Sequence, residues 1–276
     1  MSAEQYLLVI EAGKTERQYW KDLWLYRELL GFLCWRDIMV RYKQTVIGVL
    51  WAVLKPLLAM LAFTIVFGRI ANLPSEGAAP YAIMVYAAML PWQFFSASLA
   101  GSSNSLVSNA NLVSKVYFPR LLVPMSSVSV HIVDFCISFV LLLALMAIYQ
   151  FMPPLQIVAV IPLAALTGLV ALGPGLLFCA LNVTYRDFCH IIPFITQFGL
   201  YISPVGFSSS IVPEKWRLLY EFNPMVGIIE AYRWAILGSM DFPARSFGIA
   251  CSIALVFLVI GVKVFRSAEK TFADVI

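Results

Sequence analysis

The sequence predicts an all-α membrane protein. Six transmembrane helices are expected, with an interfacial amphipathic helix before the first and a re-entrant outer helical hairpin between the fifth and sixth. Three observations predict this. Of 276 residues 61% are hydrophobic and 12% charged, with a mean hydropathy of +0.86, whereas soluble domains run about 45–50% apolar and about 25% charged. Six apolar stretches qualify as spans, a crossing of about 30 Å of hydrocarbon needing roughly 20 mostly apolar residues. Lys and Arg gather in alternate connections, the signature of a chain threaded through a bilayer with its basic loops inside.

Residues 1–16 read as a tail. Within it, Gly13-Lys14-Thr15 follows an apolar run, like the end of a nucleotide-binding loop. Such a loop needs a glycine five residues earlier, where the backbone turns so that successive N–H groups face phosphate. Leu8 stands there, so no nucleotide site is expected in this chain. Residues 1–18 carry acids and no continuous apolar core, so no cleavable signal peptide is expected.

Residues 17–43 interleave Trp20, Leu23, Trp24, Leu30 and Trp35 with Lys21, Asp22, Arg27, Glu28, Arg36 and Asp37. A helix of that mixture lies in the headgroup plane, rings at the boundary and charges in water. A soluble packing helix is the alternative. Residues 44–266 hold the spans, at about Val46–Ile70, Pro80–Ala100, Leu121–Tyr149, Leu155–Leu181, Ile191–Phe207 and Phe247–Val264. The connections 108–120 and 183–190 carry Lys115, Arg120 and Arg186. Together with Lys263, Arg266 and Lys270 they place both loops, both termini and the tail 267–276 on the cytoplasmic side. The short segments "NLPSEGAAP" and "QFMPPLQ" carry no Lys or Arg and fall outside.

The last outer connection is long. "VPEKWRLLYEF" and "MVGIIEAYRWAILG" are each too short to cross and meet at Asn223-Pro224. Pro213 suits the first turn of a helix and Asn223 the turn between two. Residues 211–238 are therefore expected to form a half-inserted hairpin, tolerated where it lines protein or water rather than lipid.

The chemistry of enzymes is absent from the pattern. The five cysteines are scattered, giving neither a disulfide framework nor a metal site. With only His131 and His190 there is no nucleophile–histidine–acid set and no zinc motif. The net charge of +4 fits orientation and lipid contact, not nucleic acid. His131 and Asp134, at i and i+3, share one face of the third span. Three roles are open to them: hydrogen bonding between helices, as with nearby Ser127, Ser129 and Ser138, lining a conduit, or proton coupling. Lys55 in the first span either snorkels inward or faces a water-filled path. Trp51, Phe63, Phe67, Tyr86, Trp92, Phe94, Phe95, Phe198 and Tyr201 are either interfacial-belt rings or flat surfaces along which sugars stack and slide.

"IGVLWAVLKPL" (47–57), "NLVSKVYFPRLLVP" (111–124), "NVTYRDF" (182–188), "YISPVGFSSSIVP" (201–213) and "NPMVGIIEAYRWAILG" (223–238) together resemble the type-two ABC exporter permeases. The likeness covers residues 20–266 and is to the polysaccharide branch, the Wzm-like O-antigen permeases with their capsule and teichoic acid relatives. The resemblance implies a homodimer of permeases working with two copies of a separate ATP-binding subunit, which would hold ATP and Mg. This chain itself would hold no cofactor and catalyse nothing. It implies a bacterial inner-membrane location and a lipid-linked polysaccharide as cargo. By position, Asn111, Leu112, Lys115, Tyr117, Phe118, Arg120, Tyr185, Arg186 and Asp187 match the family's ATPase contacts. Pro213, Trp216, Asn223, Pro224, Glu230 and Arg233 fall in its outer gate, and Trp51 and Pro56 in its first-span motif near the conduit. Lys55 departs from that motif. The family's aromatic-ringed conduit points to Trp51, Lys55, Phe63, Phe67, Tyr86, Trp92, Phe95, Phe198 and Tyr201. Arg36, Arg41 and Lys43 either attract a lipid pyrophosphate or serve as positive-inside anchors. Rival readings are export of capsule, teichoic acid or a small hydrophobic molecule, and a membrane-embedded glycan transferase.

Overall fold

The computed structural model describes residues 16–43, 46–77, 79–185, 187–238, 241–269 and 272. Among these the fold is helical throughout, with no strand. In chain order the helices are α1 (Glu16–Leu25), α2 (Arg27–Lys43), α3 (Val46–Phe63), α4 (Tyr81–Ser108), α5 (Ala110–Lys115), α6 (Leu122–Ile148), α7 (Val160–Thr184), α8 (Phe188–Ile202), α9 (Glu214–Glu221), α10 (Pro224–Leu237) and α11 (Ala244–Glu269). A π-helical turn, Thr64–Ile70, continues α3, and a 3₁₀ segment, Leu155–Ala159, leads into α7.

Among the described residues five stretches are long and apolar enough to cross a bilayer: Val53–Ile70, Tyr81–Ser108, Leu122–Ile148, Leu155–Thr184 and Ala244–Glu269. The expected fifth of six spans is shorter. At 15 residues, α8 is about 22 Å long. Pro204 ends it, because a residue before proline is pushed out of the helical region, and Ser203 takes an extended φ of −79° and ψ of 151°. Residues 203–206 continue as buried, non-helical chain.

The bundle is organised around α4, which is packed by α3, α6, α7, α8 and α10 and has almost no exposed face along its first 26 residues. That explains why its serine-rich second half remains helical beyond the expected boundary at Ala100. Ser102, Ser103 and Ser105 donate to the carbonyls of Ser98, Leu99 and Ser102 at 2.7, 2.6 and 2.7 Å, so these hydroxyls are satisfied by their own helix. Their small size lets α7 approach: a Cβ on Gly175 would run into Ser102. α11 lies against α7 in the same way. A Cβ on Gly173 would sit 2.7 Å from the backbone nitrogen of Leu258, and one on Gly261 would overlap the carbonyl of Gly173.

Where one interfacial helix is expected over 17–43, the N-terminal region forms two. It breaks at Tyr26 into α1 and α2, and α2 runs alongside the first half of α6. Cys34 faces the Ser126 carbonyl at 4.0 Å, Arg41 faces His131 at 3.1 Å, and the Tyr42 hydroxyl donates to Asp134. The offset between partners stays at 90 to 92 residues, as only two helices running side by side in the same direction produce. Asp134 is about 18 Å along α6 from Leu122 at 1.5 Å per residue. The charges at the end of α2 are therefore carried well into the bundle.

Two hydrophobic cores result. The larger is centred on α4 and takes in α10, which is buried along nearly all its length. The smaller gathers Leu33, Val113, Phe118, Leu121, Val183, Phe265 and Phe272 at the end where α4 and α7 finish. Replacing Gly261 with Leu should force α11 off α7 and cost about 1–3 kcal/mol by overpacking. Unfolding in detergent would register this, with Gly248→Ala, which has no neighbour within 4 Å, left unchanged.

Candidate functional site

A cavity of about 690 Å³ lies midway along the bundle, between the end of α2 and helices α3, α4, α6 and α8. One side is charged. Arg41 pairs with Asp134 (Nη2 to Oδ2, 2.7 Å). The same carboxylate accepts the Tyr42 hydroxyl on its other oxygen and lies 3.4 Å from His131 Nδ1. Lys55 from α3 also lines the cavity. Trp51, Trp92, Phe94, Phe135 and Leu200 also line it, with Gln93, Thr196 and Gln197 supplying neutral polar groups. Charged groups and aromatic rings lining one cavity can hold a ligand with an anionic end and flat, partly apolar sugar faces.

Of the residues expected at a conduit, the fold brings Trp51, Lys55 and Trp92 to this cavity, together with Arg41 from the expected head-group set. The others lie elsewhere. Tyr86 (1% exposed) and Phe95 are enclosed in the larger core because α4 is covered on every side. Phe63 and Phe67 pack together at 5.4 Å against Gly206. Phe198 sits on Phe194 at 4.2 Å on the outer surface of α8, and Tyr201 is exposed beside them. Arg36 turns to Asp37 (2.6 Å) and to the Asn109 side chain (2.8 Å), tying α2 to the end of α4. Lys43 is exposed. Tyr42, Asp134's closest neutral partner, gave no signal in the sequence, standing between two cations read as headgroup ligands. Burial and the neighbouring Asp134 push its phenol above the ordinary range.

The expected ATPase contacts share one end of the bundle, because Val113, Phe118 and Val183 belong to the same small core. Asn111, Lys115, Tyr117, Tyr185 and Asp187 are exposed there, and Leu112 is half-buried. Phe118 points inward and is buried, so it anchors the segment and cannot present a surface. Arg120 is tied down by Glu269, its backbone N–H donating to Oε1 at 2.9 Å. Arg186 lies outside the described residues.

At the other end, the expected gate residues separate into surface and interior. Pro213 and Trp216 are exposed on or beside α9. Asn223 caps α10, its side chain accepting the Met225 N–H at 3.1 Å and donating to Ser203 at 2.9 Å, with Pro224 in the first turn. Gly238 closes the helix at φ +64°. Glu230 is buried and accepts the Ser246 hydroxyl. Arg233 is 0% exposed. It pairs with Glu76 at 2.9 Å and donates to the carbonyls of Phe207 and Val205 at 3.1 and 3.4 Å. Glu76 lies in the connection after the first span, far from Arg233 in sequence, and no local pattern marks it.

The family model described as ABC-2 type transporter matches residues 28–237. A protein named O-antigen export system permease protein RfbA from Klebsiella pneumoniae is 26% identical over 251 residues, covering 90% of this chain and 95% of the relative. A protein of the same name from Myxococcus xanthus is 30% identical over 261 residues, covering 92% and 97%. The capsule polysaccharide export inner-membrane protein CtrC from Neisseria meningitidis is 24% identical over 266 residues, covering 94% and 97%.

Arg233→Ala should destabilise the protein by about 3–5 kcal/mol, because it leaves Glu76 buried without its counter-charge. Arg233→Met combined with Glu76→Leu should recover part of that loss. Denaturant unfolding of the three proteins measures both effects.

Proposed function

This chain belongs to the ABC-2 type transporter family, and from that premise we propose that it is the membrane-spanning permease subunit of an ATP-driven exporter of lipid-linked polysaccharide, with O-antigen as the cargo. The observation that carries the reading is near-full-length similarity to O-antigen export permeases, up to 30% identity over 92% of this chain. Weaker similarity to capsule and polysialic acid transport proteins makes capsule polysaccharide the second cargo reading.

In this proposal two copies of the chain assemble with two copies of an ATP-binding subunit, which holds ATP and Mg. The chain crosses the bacterial inner membrane six times, with α8 and the buried residues 203–206 together making the fifth crossing. Both termini face the cytoplasm. Asn111, Lys115 and Tyr117 meet the ATPase beside Tyr185, Arg186 and Asp187. Because those segments rest on one small core, a push there moves the ends of α4 and α7 together with α2. α9 and α10 form the outer gate, braced by Arg233.

The cargo's anionic head group is drawn first to Arg36 and Lys43 and then to Arg41 and Lys55 at the cavity. Its sugars slide over Trp51 and Trp92. The pairing of Asp134 with Arg41 supports a role in holding α2 to α6, in place of a proton relay.

Affinity purification of the tagged chain from its native membranes should recover a separate ATP-binding subunit in equal amount. Lys115→Glu with Tyr117→Ala should weaken that recovery and lower surface polysaccharide at least tenfold, with glycan accumulating inside. A chain that purifies alone and whose deletion leaves surface polysaccharide intact would contradict the proposal.

A further inference from the structure

The segment offered to the ATPase is held from behind by the far end of the chain, more than a hundred residues away in sequence. Val113 and Phe118 drop into the small core, leaving Lys115, Val116 and Tyr117 exposed above them. Beyond Lys115 the segment has left helical geometry, with Val116 extended at φ −125° and ψ 133°, so helical hydrogen bonding no longer sets its path. Contacts from Glu269, the last residue of α11, and from Phe272 replace it. The Glu269 carboxylate accepts the Arg120 backbone N–H at 2.9 Å, while the Arg120 guanidinium donates to the Glu269 carbonyl. Phe272, fully buried, has its ring 5.9 Å from the same guanidinium and meets Phe265 edge-on at 5.3 Å.

The clasp also reaches the N-terminal helices. Arg266, one turn before Glu269, lies over the Tyr19 ring at 4.5 Å. Burial, and then the adjacent Glu269 carboxylate, push the Tyr19 phenol well above its ordinary range. Tyr19 of α1, Leu33 of α2, Val113 and Phe118, the end of α7, and Phe265 and Phe272 thus gather in one small core.

We infer that Glu269 and Phe272 are positioning residues for energy coupling, fixing the exposed face of residues 114–117 so that a push from the ATPase becomes movement of α4 and α6 and not local yielding of the loop. This rests on the proposed ATPase contact. The mechanical part is independent of it, because it can be read on the permease alone.

The test compares Glu269→Ala, Glu269→Gln, Phe272→Ala and Phe272→Leu in the full-length chain. Amide hydrogen exchange is followed in peptides covering 110–121, with 188–202 as control, and polysaccharide exported per ATP hydrolysed is followed in the permease–ATPase complex. Glu269→Ala and Phe272→Ala should raise exchange in 110–121 at least tenfold while leaving 188–202 unchanged, and should cut export per ATP at least fivefold with the ATPase still bound. Glu269→Gln keeps an acceptor for the Arg120 N–H and Phe272→Leu keeps most of the buried apolar volume, so both should fall much closer to the parent than the alanine variants. Unchanged exchange in both alanine variants would overturn the clasp. Faster exchange with undiminished export per ATP would overturn its role in coupling. Failure of the parent chain to bind any ATPase would instead refute the function proposed above, with the exchange data still deciding the clasp.

Discussion

Arg233 has none of its surface exposed, and a charge in that position survives only if partners surround it. Glu76 and the carbonyls of Val205 and Phe207 provide them, which obliges three segments to meet: the connection after the first span, the chain following α8, and α10. The Tyr81 hydroxyl adds a bond to the Gly206 carbonyl, closing residues 205–207 against the start of α4. Apolar packing alone does not specify such a junction, because within a bilayer one greasy surface is nearly as good as another. Polar contacts select the arrangement, and they occupy the carbonyls of Val205, Gly206 and Phe207 in the non-helical stretch after α8.

The same logic recurs at two further levels. Midway, the Arg41–Asp134 pair with Tyr42 holds α2 to α6, and the space beside it is the charged and aromatic cavity. At the other end, Glu269 holds Arg120 over the small core. The serine-rich half of α4 runs between these levels, with the hydroxyls of Ser102, Ser103 and Ser105 bonded to its own carbonyls. The Arg233 junction, the cavity and the small core at the other end are thus all packed against one buried helix.

Much of this was legible in the sequence because it rests on local rules. Membrane class follows from hydropathy. The limits of α10 follow from Asn223-Pro224 at its start and Gly238 at its end, whereas the fifth span was expected to run on to Phe207, past the Pro204 that ends α8. The cation-poor and cation-rich connections were equally plain. What escaped were facts decided by partners distant in sequence. Charges on α2 look like headgroup ligands until α6 is beside them, and Glu76 looks like a solvated loop acid until Arg233 is placed. Phe118 reads as a contact residue although it faces inward. Tyr86 and Phe95 share the composition of conduit rings yet lie in the core, because nothing local records that α4 is surrounded.

The central claim is that cargo passes the cavity between α2, α3, α4, α6 and α8. Photo-crosslinking tests it most directly, with a photoreactive side chain at Trp51 in the cavity wall or at Leu255 on the exposed face of α11, in exporter stalled by a hydrolysis-deficient ATPase. The account predicts polysaccharide-bearing adducts from position 51 and none from position 255. Equal labelling at both positions, or none at 51 while export proceeds, would contradict it.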